Sequence, residues 1–158
     1  MSNLSLLETV CDKEIKCEIL KSITLQVKIV RVIDGDTVVL AYINKTGQIS
    51  KVTARLFGID TPELRKEPWL AKRARNYLIN LSTNVEEIDI DDSRTSKELQ
   101  RNIDQNTKLL WAKFNGNDKY GRSLVELYFY HNCDCNFSSS LNQMILNAKL
   151  ARPYDGTR

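Results

Sequence analysis

The stretch Val27-Lys28-Ile29-Val30-Arg31-Val32-Ile33-Asp34-Gly35-Asp36-Thr37-Val38-Val39-Leu40-Ala41-Tyr42-Ile43 decides the fold. Two runs rich in β-branched residues flank a short polar connection, and β-branching favours the pleated strand over the helix. Asp34-Gly35-Asp36 is the connection, and its glycine is expected to supply the positive φ that a tight link often needs. Downstream, Asn44-Lys45-Thr46-Gly47 reads as a second turn. Ser50 to Gly58 then reads as a third strand in which Val52, Ala54 and Leu56 share one face. Three strands joined by short turns make a meander, which Pro62 ends.

Beyond the meander the period changes. Pro68 to Leu81 places Leu70, Ala74, Tyr77, Leu78 and Leu81 on one helical stripe, with Lys72, Arg73 and Arg75 expected on a solvated face. Residues 84–92 alternate weakly and are read as a strand. Thr95-Ser96-Lys97-Glu98 has capping-box form, followed by a short helix with Leu99 and Ile103 on its apolar edge. Strands follow at Thr107 to Phe114 and Ser123 to Tyr130, and a last helix from Ser139 to Ala148 is expected to bury Leu141, Met144, Ile145 and, at its end, Ala148. Trp69 and Trp111 are expected in or near the core, since large aromatics dominate buried area. Residues 1–24 read as an N-terminal extension with a ragged apolar stripe (Leu4, Leu7, Val10, Ile15, Ile19, Leu20), and 25–158 as one domain.

At 158 residues with 42% apolar and 27% charged content, the chain is a normal globular domain rather than a disordered one. Its net charge of +3 comes from 23 basic against 20 acidic side chains, a balance too even to prove a polyanionic partner. Acids scattered through residues 1–23 exclude a signal peptide or membrane span there, so an intracellular, cytoplasmic protein is expected. On that expectation Cys11, Cys17, Cys133 and Cys135 are free thiols. His131-Asn132-Cys133-Asp134-Cys135 has too tight a spacing and no second pair for zinc, and is read as a loop.

The chemistry lies in Asp34-Gly35-Asp36-Thr37, Arg55, Asp60-Thr61-Pro62-Glu63 and Asp118-Lys119-Tyr120-Gly121-Arg122. Asp36 and Asp60 are hard oxygen ligands of the kind Ca2+ prefers, with Asp34 shaping the field around them. Glu63 is a carboxylate suited to orienting or deprotonating water beside a metal-bound phosphate. Arg55 and Arg122 carry planar guanidinium groups that grip two phosphate oxygens at once. Each acid taken singly is ordinary turn chemistry, and Arg55 alone reads as a surface ion pair. The set together is equipment for cutting a phosphodiester.

In this order the motifs resemble those of the staphylococcal nuclease (thermonuclease-like) family, from about Val27 to Tyr154. The resemblance implies an α+β, mainly β fold, a five-stranded Greek-key barrel of the OB type with packed helices. It implies a Ca2+-dependent nuclease acting on DNA and RNA, single strands preferred, leaving 3′-phosphate and 5′-hydroxyl ends. It adds the Thr61 carbonyl to the metal ligands and gives Lys119 and Tyr120 a neighbouring phosphate to hold. Asp118 would support their loop, and Gly121 would permit its turn. Residues 84–106 depart from the family pattern as an insertion, and the staphylococcal enzyme's long C-terminal helix has no counterpart. Arg152 and Tyr154 stand where the family example has two tyrosines. Tyr154 is therefore expected to stack on a base, and Arg152 to contact a base or phosphate. The alternatives are a catalytically inactive barrel of the same fold that binds nucleic acid or protein, and a barrel whose acids bind metal only for stability.

Overall fold

A computed structural model of the chain describes residues 3–10, 16–17, 23–84, 87–132 and 135–156. The two runs that open the sequence argument form β2 (Thr24–Asp34) and β3 (Thr37–Ile43), paired antiparallel. β-bulges break their register between Ile29 and Arg31 and between Val32 and Asp34. The first shifts the inward parity, so that Val27, Ile29 and Val32 enter the main core. Val30, the extra residue, faces outward, and its carbonyl accepts a hydrogen bond from Gln100 Nε2 at 2.6 Å.

β4 (Ile49–Leu56) pairs with β3, and β6 (Leu109–Asn117) pairs with β2 and with β7 (Ser123–Tyr128), all antiparallel. A parallel pairing of β4 with β7 closes five strands into a mixed barrel of the OB type. Alternation dictates its filling: Val38, Leu40 and Tyr42 from β3 and Val52, Ala54 and Leu56 from β4 point inward. The outward residues Val39 and Ala41, with Val30, are covered by Leu7 and Val10 from α1 (Asn3–Thr9) and the residue after it. Lys28, buried on the same outer face, donates through Nζ to the carbonyls of Glu8 (2.8 Å) and Val10 (3.0 Å). β1 (Lys16–Cys17) adds a short parallel strand beside β4. Ile15, Ile19, Leu20, Cys11 and Cys133 lie outside the described residues.

α2 (Pro68–Ser82) starts with proline in its first turn, as the sequence predicts, but presents a different face. Ala71, Ala74, Arg75, Leu78 and Ile79 are buried, whereas Leu70 and Trp69 are exposed. Arg75 is thus no solvated residue. Its guanidinium donates to Asn76 Oδ1 (2.8 Å) and the Arg94 carbonyl (2.7 Å). Trp69 is not in the core, and Trp111 is half-buried on β6.

The strand expected over 84–92 does not form among the described residues. Side-chain amides of α2 satisfy that backbone instead: Asn76 Nδ2 donates to the carbonyls of Ile90 (2.9 Å) and Asp92 (3.0 Å), and Asn80 pairs with Ile88. The capping box is present in full at the start of α3 (Ser96–Asn106), which sends Leu99 and Ile103 into the main core. A 3-10 turn (Phe137–Ser139) leads into α4 (Leu141–Asn147). From α4 the buried Asn142 bonds the Leu127 amide and the carbonyls of Phe57 and Val125, tying β7 to the end of β4. No helix among the described residues is long and apolar enough to cross a membrane.

Gly35 does not adopt the positive φ expected of it. Close approach explains the residue: a Cβ there would stand 2.6 Å from Ala74 Cβ and 3.1 Å from the Ala74 backbone on α2. Gly35→Ala is therefore expected to cost about 1–3 kcal/mol by overpacking. Adding Ala74→Gly should recover part of that loss beyond additivity, read as a double-mutant cycle of urea midpoints. An additive pair would show that α2 does not rest on this turn.

Candidate active site

The second bulge of β2 ends at Asp34, and the turn that follows carries Asp36, 5% exposed, to the rim of the barrel. The Asp36 carbonyl accepts from the Leu56 amide at 2.7 Å, which fixes the turn to β4. On β4, Arg55 lies between inward-facing Ala54 and Leu56, so it projects from the opposite side of the strand. Its Nη1 meets Asp36 Oδ2 at 2.8 Å. Its Nη2 meets Asp60 Oδ1 at 3.1 Å and the Ile59 carbonyl at 3.2 Å.

Asp60 is presented by β5 (Ile59–Asp60), which pairs antiparallel with β8 (Arg152–Pro153). That register sets Arg152 opposite Asp60, and its Nε and Nη2 reach Asp60 Oδ2 at 3.0 and 2.9 Å. The Thr61 amide donates to Asp36 Oδ2 at 2.9 Å, and Thr37 Oγ1 donates to Asp36 Oδ1 at 2.9 Å. The Tyr154 ring lies against the Arg55 guanidinium, with Cζ 5.0 Å from its centroid. Asp36, Arg55, Asp60, Thr61, Arg152 and Tyr154 are therefore one contact network.

Its electrostatics follow from burial. Burial opposes the charge of Asp36, but the Arg55 guanidinium and the Thr61 amide outweigh it and hold the carboxyl below its usual range. Burial likewise opposes the charge of Arg55, and Asp36 and Asp60 hold it above its ordinary value. Asp34, buried and beside the Asp36 charge, is pushed up to about 7. The two neighbouring acids are thus shifted in opposite directions.

Glu63 is exposed at the turn before α2, 3.1 Å from Lys66 Nζ, and lines the same cleft as Asp60 and Thr61. Lys119, Tyr120 and Arg122 form a second group. Asp118 accepts the amides of Tyr120 (2.9 Å) and Arg122 (3.0 Å), and its Oδ2 meets Arg122 Nε at 2.7 Å. Burial opposes its charge, but these donors hold Asp118 below its usual range. Gly121 has φ of 81°, the left-handed turn expected of it. Lys119 Nζ and Arg122 Cζ lie 5.2 and 5.4 Å from the Tyr120 ring centroid. The parallel β4–β7 pairing sets Ser123 opposite Ala54, so this loop emerges beside the strand that carries Arg55.

Among the described residues no three histidine, cysteine, aspartate or glutamate side chains gather as a metal cage. Asp36 and Asp60 are bridged by Arg55 instead. A cation here would therefore have to complete its shell with neutral oxygens, and the site contains them. Thr61 Oγ1 is buried with no hydrogen-bond partner, and such an orphan oxygen is the kind of donor a hard cation takes up. Asp36, Asp60 and the oxygens of Thr61 are the groups that would hold a cation here.

The sequence reading missed the far wall of the cleft, where Leu70 and Arg73 of α2 face residues 149–152. Compared with known proteins, the chain matches no family model and no curated protein.

Arg55 and Arg152 touch the same acid from different environments, and the difference is measurable. Arg55→Met leaves buried Asp36 without its guanidinium and Asp60 with Arg152 alone, and should cost about 3–5 kcal/mol. Arg152→Met removes a largely exposed partner and should cost about 1 kcal/mol or less. Urea denaturation of both variants checks the order, and equal losses would contradict it.

Proposed function

We propose that the chain is a Ca2+-dependent nuclease related to the staphylococcal nuclease family, hydrolysing phosphodiesters of DNA and RNA with single strands preferred. The observation that carries this reading is the Arg55 guanidinium held between buried Asp36 and Asp60, with Glu63 lining the cleft onto which Asp60 opens. A bound Ca2+ supplies Lewis-acid polarisation of the scissile phosphate and positive charge against its developing negative charge.

This chain's residues do the rest. Arg55 spends Nη2 and one Nη1 proton on the acids and the Ile59 carbonyl. A guanidinium carries five N–H donors and these three contacts use three, so the remaining two are offered to phosphate oxygens. Arg122 supplies the second guanidinium, pre-set by Asp118. Glu63 takes a proton from water as the water oxygen attacks phosphorus. The P–O5′ bond breaks, and the leaving oxygen gains a proton to give a 5′-hydroxyl and a 3′-phosphate. Lys119 and Tyr120 hold a neighbouring phosphate, while Tyr154 and Arg152 meet the adjoining nucleotide.

One observation favours a second reading, an inactive barrel that only binds: Asp60 is already engaged by two guanidinium groups.

Cleavage separates the two. Denatured DNA, duplex DNA and RNA are incubated with wild type and with Glu63→Gln, each in Ca2+, Mg2+ or chelator, and the ends are mapped. Wild type in Ca2+ should cut denatured DNA and RNA faster than duplex. Arg122→Ala should lower the rate by about 10²- to 10³-fold. Glu63→Gln should lose about 10²-fold or more. Absence of cleavage in Ca2+, or equal cleavage in chelator, sinks the nuclease reading.

A further inference from the structure

The cleft beside Asp60 and Glu63 has a volume of about 610 Å³, within the range of small-molecule sites. Its walls alternate apolar and cationic groups: Leu70 and Arg73 from α2 on one side, Lys149, Leu150 and Arg152 on the other, with Lys66 at the rim. Against these four cations stand the carboxylates of Asp60, Glu63 and Glu67, of which Asp60 is shared by two guanidinium groups and Glu63 is met by Lys66. A nucleotide needs this combination, an apolar wall for the base and cations for its phosphates.

Beside Arg73, outside the lining of the cleft, stands Trp69, 60% exposed, which lines a separate hollow with Lys72 and Ile90. Arg73, one helical turn on, lies with Cζ 5.0 Å from the indole centroid and with Nε 3.0 Å from Asp91 Oδ1. Asp91 lies at ion-pair distance from the guanidinium without forming a hydrogen bond to its Nε, and the guanidinium lies over the indole. The exposed remainder of the ring is a held platform rather than a loose side chain.

We infer that this cleft is a second subsite for single-stranded nucleic acid. It takes an unpaired nucleotide on the Glu63 side of the phosphate to be cut, and Trp69 stacks the next base. The naming of the cut phosphate rests on the nuclease reading; the binding of the strand does not. A duplex keeps its bases stacked on one another, whereas a single strand offers base faces to an aromatic platform and a base small enough for the cleft. The subsite is therefore a physical source of selectivity for single strands, separate from the group around Tyr120.

The test uses the whole chain carrying Glu63→Gln, in Ca2+, with labelled oligothymidylates of two and roughly twelve nucleotides, a length chosen to overrun one site. Anisotropy gives the affinities, and tryptophan emission reports the platform. The parent should bind the longer strand much more tightly and show quenching. Trp69→Ala and Arg73→Gln should each lose about tenfold for the longer strand, Trp69→Ala should lose the quenching, and Trp69→Phe should retain most of the affinity. If Trp69→Ala and Arg73→Gln both bind the longer strand within about twofold of the parent, the subsite is wrong. Wild-type cleavage is run in parallel: a protein that cuts nothing but shows the length step keeps the subsite and loses the nuclease reading. One that cuts without the step does the reverse.

Discussion

The molecule is organised around one guanidinium. Arg55 stands on β4, Asp36 on the turn between β2 and β3, and Asp60 on β5, and the guanidinium touches both acids within 3.1 Å. Burying these charges is unfavourable unless each is paired and hydrogen-bonded. The Thr37 hydroxyl, the Thr61 amide and the Ile59 carbonyl supply the remaining bonds. The planar fork ties together three segments that the Leu56–Asp36 and Thr61–Asp36 bonds also join, so the rim of the barrel and the site share one network. The Tyr154 ring against Arg55 adds the segment around residue 154 to it.

Much of this was readable from residue order. The five barrel strands, both large helices and the inward triplet Val52, Ala54 and Leu56 follow from periodicity, because a half-buried strand or helix must repeat its apolar residues at its own geometric period. The capping box at Thr95 is local chemistry and appears as written. The gathering of Asp36, Arg55, Asp60 and Thr61 was legible only as a motif set. No periodicity states that residues 36 and 60 share a guanidinium, and the β4–β7 pairing that brings Arg122 near Arg55 is a long-range contact.

What was not legible has physical reasons. Arg75 reads as a surface residue because arginine is seldom buried, yet the carbonyl of Arg94 and the amide of Asn76 give its guanidinium partners inside. Residues 84–92 read as a strand because they alternate, but a strand needs a neighbouring edge. Here the amides of Asn76 and Asn80 take up the carbonyls that a sheet would have used. Trp69 reads as core on the strength of its type alone. Helix phase, not composition, put Ala71 inside and left Leu70 facing the cleft and Trp69 exposed beside it.

The phase of α2 is itself set by the site. Gly35 lets the helix come so close that a methyl group would collide with Ala74, and Thr61 Cγ2 closes on the same point from the other side at 3.0 Å. Turn, helix and the segment carrying Thr61 therefore meet at a position with no room for a side chain. The helix cannot rotate or retreat without opening a void beside Asp36, and a void in a packed interior forfeits dispersion contacts on every wall. With Ala74 held there, the next residues outward on the same helix, Leu70 and Arg73, must line the cleft, and Trp69 must stand beside it. The glycine that reads as a turn residue thus has its larger consequence on α2: by fixing the helix against the charged network, it settles which side chains the far wall of the cleft presents.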